Sequence, residues 1–81
     1  MRLDKFLKVS RLIKRRTVAN EVSEMGRVFV NDRPAKPAKQ LNEGDIISIE
    51  YANRTVTVKI VKIPTSNVSV QEATTLYKVI E

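Results

Sequence analysis

At Gly26 the spacing of apolar residues in this 81-residue chain switches from helical to strand-like. No all-helical or all-strand fold satisfies both halves. Before Gly26, Leu3, Phe6 and Leu7 share one side of a helix read at about 100° per residue, and Val18, Val22 and Met25 recur at i, i+4 and i+7. After it, Val28-Phe29-Val30, then Ile47, Ile49 and Tyr51, then the Arg54–Ile60 run alternate with period two. The chain therefore reads as one α+β domain over residues 1–81: two N-terminal helices, a small, mostly antiparallel sheet, and a C-terminal helix.

Local signals set the expected boundaries. The first helix is predicted over Arg2–Val9, with a bend between Ser10 and Arg15 that turns Leu12 and Ile13 inward. Thr17 is the expected N-cap of the second helix, and Gly26 its left-handed terminator. Asn31-Asp32 and Asn42-Glu43-Gly44-Asp45 read as turns. Pro34 and Pro37 exclude a central strand between them. Strands are expected over 46–63, broken at Ala52-Asn53 and stopped by Pro64. Ser69 and Glu72 have capping-box spacing, which places a helix over about 70–80 with Val70, Ala73, Leu76, Tyr77 and Ile80 on its core face.

Charge is the next constraint. Residues 1–39 hold eleven Lys/Arg against four Asp/Glu, whereas residues 40–81 hold four against five. An excess of cations confined to one half implies a polyanionic partner. Arg2, Lys5 and Lys8 fall roughly opposite the apolar side of the first helix, and Arg11, Lys14, Arg15 and Arg16 follow; Lys36 and Lys39 sit in the proline-bearing segment. These nine are the candidate RNA-binding residues, enough for about five to seven phosphate contacts, and Asp4 is expected to orient a neighbouring arginine.

Catalysis finds little support. The chain has no Cys and no His, hence no thiolate or imidazole nucleophile, base or metal ligand. Its carboxylates are scattered, and two glycines cannot form a phosphate loop. The expectation is a non-enzymatic protein with no cofactor and no metal. No apolar run approaches the ~18 residues of a membrane span, so a cytoplasmic protein with no membrane partner is expected, acting as a monomer. Phe6, Tyr51 and Tyr77 lie on apolar faces and Phe29 is ambiguous, leaving few aromatics for stacking single strands. Shape and phosphate recognition of folded RNA fits better. Duplex DNA fits less well, because no helix carries the Arg/Asn/Gln set that reads major-groove edges.

Arg2-Leu3-Asp4-Lys5-Phe6-Leu7, Arg16-Thr17, Gly26-Arg27-Val28-Phe29-Val30-Asn31 and Gly44-Asp45, in that order, resemble the RNA-binding domain named after small-subunit ribosomal protein S4, over residues 1–48. Lys14-Arg15-Arg16, Lys36-Pro37-Ala38-Lys39 and Glu72-Ala73-Thr74-Thr75-Leu76-Tyr77 are similar to the ribosome-associated heat-shock family, above all its short Gram-positive quality-control branch. Two departures are Asp32 where the domain often has Gly, and an end at Glu81 without the long basic tail of the heat-shock relatives. The resemblance implies a factor of ribosome-associated quality control. It would bind stalled large ribosomal subunits through rRNA and peptidyl-tRNA and assist the partner RqcH in C-terminal alanine tailing. Among its positions, Arg2 and Arg16 are the expected principal RNA contacts. A general structured-RNA module of ribosome assembly or the heat-shock response is the alternative.

Overall fold

The computed structural model describes residues 1–64 and 69–80. Helices α1 (Leu3–Val9) and α2 (Arg16–Glu24) precede strands β1 (Val28–Val30), β2 (Arg33–Pro34), β3 (Ile46–Glu50) and β4 (Thr55–Ile60); a single turn α3 (Val70–Ala73) and strand β5 (Tyr77–Val79) follow. The five strands form one antiparallel sheet in the order β2-β1-β3-β4-β5.

Strand alternation builds the core. Val28, Val30, Ile47, Ile49, Val58 and Ile60 are buried on the sheet face that meets Leu3, Phe6 and Leu7 of α1. On the opposite face Phe29, Ser48 and Thr57 are half-buried, and Lys59 and Lys78 are exposed. Pro34 sits in the edge strand, where its missing N–H costs no ladder bond.

The punctuation residues act as expected. Asn31 (φ 52°) and Asp32 (φ 68°) both take left-handed backbone, the twist a two-residue hairpin requires. The Asn31 side chain also ties this hairpin to the next turn: its Oδ1 accepts the Ile46 N–H at 3.0 Å and its Nδ2 donates to Asp45 at 3.2 Å. Asp45 in turn accepts the Asn42 N–H at 2.9 Å. Asn31→Ala removes both side-chain bonds and puts a Cβ-only residue at positive φ. It should cost about 1–2 kcal/mol, measurable as a lower urea midpoint with unchanged slope.

Two expectations need correction. The helix predicted over 70–80 is only the turn Val70–Ala73, and Tyr77–Val79 pairs with β4 instead. The N-cap half of the capping box forms, with the Ser69 hydroxyl oxygen accepting the Glu72 N–H at 3.2 Å. However, the Thr74 and Thr75 hydroxyls donate back to the Gln71 and Glu72 carbonyls, which competes with helix extension. Tyr-Lys-Val is a good strand sequence, and the unpaired edge of β4 offers it a ladder. Ala73 and Leu76 are buried as expected, but Ile80 is exposed.

Second, α2 begins at Arg16 with Arg15 as its N-cap, rather than at a Thr17 cap. Its buried positions are Ala19 and Ser23, while Val18 and Met25 stay exposed. Ser23 satisfies its hydroxyl on the Ala19 carbonyl at 2.8 Å. Small side chains at the buried positions let α2 lie close against α1, so the larger ones rotate outward.

Candidate RNA-binding surface

Both helices end in ways that place cations. After α1, Arg11 adopts φ 62° and its N–H donates to the Lys8 carbonyl, while Ile13 N–H donates to Leu7. Those bonds satisfy two of the last carbonyls of α1 and turn the chain sharply. Tyr51 holds the turn from the sheet side, its hydroxyl donating to the Leu12 carbonyl at 3.0 Å. Burial raises the Tyr51 pKa, with the Arg54 charge opposing and Tyr77 adding to the rise. At the end of α2, Gly26 (φ 75°) and the Gly26→Ser23 and Arg27→Val22 backbone bonds form the same kind of stop.

Asp4 is the centre of the arrangement. Its side chain is buried, yet it lies 3.2 Å from Arg2 Nε and 3.5 Å from Arg16 Nε, and Arg2 Nη2 adds a second bond at 3.3 Å. The Lys5 N–H donates to it at 2.8 Å. Burial by itself pushes the Asp4 carboxyl up, but the Arg16 charge, the Lys5 N–H, the Arg2 charge and the Asn20 side chain outweigh it. The net pKa lies below the usual carboxylate value. The two arginines remain about half exposed, at 46% and 49%. One carboxylate thus fixes two guanidinium groups from different elements side by side while leaving donor edges of both open to solvent.

A third element joins them through its backbone. Leu3 and Asp4, whose N–H groups have no partner within α1, donate to the carbonyls of Lys39 (2.8 Å) and Pro37 (3.1 Å). Arg2 bridges Gln40, and Leu41 N–H donates to Met1. Lys36 and Lys39 are thereby carried beside the start of α1. Lys36 also sits 3.8 Å from Glu24, an exposed pair worth little. Arg33, absent from the sequence-based set, lines a cleft of about 580 Å³ together with Lys36 and Lys39.

The structure therefore gathers Arg2, Asp4, Arg16, Lys36 and Lys39 around the α1 N-terminus. Lys5 and Lys8 extend the set along the exposed side of α1, and Arg11 and Arg15 are exposed in the connecting turn. Lys14 departs from the group: it lines an apolar groove with Leu12, Val18 and Met25. The α1–loop bonds were not legible in the sequence, since they join backbone groups more than thirty residues apart. Asn20 was missed too, although its place one turn after Arg16 on α2 was available.

Residues 1–47 match the S4 domain family. The chain is 53% identical over 98% of its length to a protein of Halalkalibacterium halodurans named RQC P-site tRNA stabilizing factor, of which it covers 89%. The chain belongs to this S4-domain family. A Bacillus subtilis protein of the same name is 41% identical over the whole chain, covering 93% of that protein. The solved heat shock protein 15 of Vibrio cholerae, a trimer, superposes with a TM-score of 0.88 at 34% identity, covering 98% of this chain and 80% of that one. The family therefore accounts for the order of helices, hairpin and Gly-Asp turn read from the sequence.

Arg11 separates fold from binding. Glycine takes its φ without the Cβ clash, so Arg11→Gly should leave stability equal or raise it by about 0.5–1 kcal/mol. The same change removes one exposed cation and should weaken binding to folded RNA several-fold. Thermal melts beside filter binding on one preparation check both directions.

Proposed function

We propose that the chain is a non-enzymatic RNA-binding factor of ribosome-associated quality control. In this reading it steadies P-site peptidyl-tRNA against rRNA of a stalled large subunit, as the family name suggests. The observation that carries it is the Arg2–Asp4–Arg16 constellation. Two guanidinium groups held at fixed spacing by a buried acid form a preorganised phosphate clamp, with Lys36 and Lys39 beside it and Lys5, Lys8, Arg11 and Arg15 widening its reach. Because α1, α2 and the 36–39 loop meet here, the clamp can reach two RNA features converging on it.

Holding tRNA between elongation steps would assist RqcH in adding C-terminal alanine tails, and the factor would act as a cytoplasmic, ribosome-associated monomer. The test is recovery of the full chain from cells with its bound RNA. Large-subunit rRNA together with tRNA is expected. Recovery of subunit-assembly precursors instead would favour a general assembly factor and overturn the quality-control assignment.

A further inference from the structure

The exposed apolar flank of α2 has no role in the RNA clamp. Val18 is 41% and Met25 63% exposed, and with Val22, Leu12, Tyr51 and Ala52 they line a groove of about 510 Å³. At 100° per residue this stripe lies about 180° around α2 from Arg16 and Asn20. One helix thus separates two surfaces, and RNA held at Arg16 leaves the groove open.

We propose that this groove docks a short amphipathic protein segment bearing carboxylates beside its apolar anchors, a contact independent of the RNA-clamp reading. Along α2 the groove runs from Val18 to Met25, roughly 11 Å, which accommodates about two turns of a partner helix. Its rim supplies the charge preference: Lys14 lies at one end and Arg27 at the other, with Glu50 as the one lining carboxylate. Arg54 adds a further cation, 5.4 Å above the Tyr51 ring.

Nucleic acid fits this groove poorly. The Tyr51 hydroxyl is already spent on Leu12, and Arg54 occupies one face of its ring, so the groove offers a base little aromatic surface to stack on. A second copy of the chain fits poorly too. Its matching groove would bring the same Lys14 and Arg27 against each other, and so short a groove offers far less than the ~1,600 Å² of a standard interface. A carboxylate-bearing segment meets both rim cations and covers the Val18 and Met25 side chains.

A photo-crosslinking amino acid at position 25 of the full chain, expressed in cells, tests this. The crosslinked peptide is sequenced by mass spectrometry, synthesised, and titrated against the purified chain by fluorescence anisotropy. The expected partner is a protein segment with apolar residues at i and i+4 and adjacent Asp or Glu. Its binding should weaken at least tenfold in Met25→Glu and in Arg27→Glu, variants whose folding is checked by thermal melts. Crosslinks to RNA only, to a second copy, or to nothing overturn the proposal. So does a peptide without acids, or one that binds Arg27→Glu as tightly as the parent.

Discussion

Replacing Arg2 and Arg16 together by glutamine should lower affinity for tRNA-bearing large subunits by about two orders of magnitude. The slope of log K against log salt should become shallower by about two. Each guanidinium leaves the position Asp4 sets for it, and neither amide restores the charge. Both side chains are half exposed and neither fills the core, so far-ultraviolet circular dichroism should be unchanged. Each single change should give roughly half of the effect on the free-energy scale, with some excess loss in the pair because the two share one carboxylate. Equal binding by the folded double variant would remove these residues from the interface.

Asp4→Asn makes a sharper distinction, because two physical pictures predict opposite signs. The variant raises the net charge from +6 to +7. If general electrostatic attraction governs affinity, it should bind RNA more tightly. If the carboxylate acts by holding Arg2 and Arg16 in place, it should bind several-fold more weakly despite the added charge. We expect the weaker binding. Stability should fall as well, by about 1–2 kcal/mol, because the charged acceptor of the Lys5 N–H is lost while the half-exposed arginines are partly compensated by water.

The pH dependence follows from the same site. The folded Asp4 carboxyl titrates below its unfolded value of about 3.9. Its stabilisation is therefore fully present above that value and is lost as pH falls through the lower folded one. Denaturation curves between neutral and acid pH should show this loss in the parent chain and lack it in Asp4→Asn.

How far the sequence disclosed these features depends on the range of the interactions involved. Gly26, Asn31-Asp32 and Gly44 act locally, and each takes the backbone its residue type favours. Strand alternation identified Val28, Val30, Ile47, Ile49, Val58 and Ile60 as core because one face of the sheet is buried throughout. The α2 stripe marked the helix without revealing its buried side, because periodicity identifies an apolar face without saying whether anything covers it. Close packing of α1 through Ala19 and Ser23 decided the matter. The last segment misled because a short helical pattern met an open strand edge, and pairing with β4 won. At the site, the residue types were legible one by one. The role of Asp4 in joining Arg2 to Arg16 needed the turn at Arg11, which folds α2 back beside α1.

The proposed mechanism holds this chain on RNA through phosphate contacts made by a preorganised arginine pair. Its most direct test is the salt dependence of binding to purified large subunits carrying peptidyl-tRNA, measured for the parent and for the Arg2→Gln/Arg16→Gln variant. The parent should show a steep linear fall of log K, equivalent to about five to seven phosphates, and the variant a slope shallower by about two. Affinity independent of salt in the parent, or identical slopes in the two proteins, would contradict it.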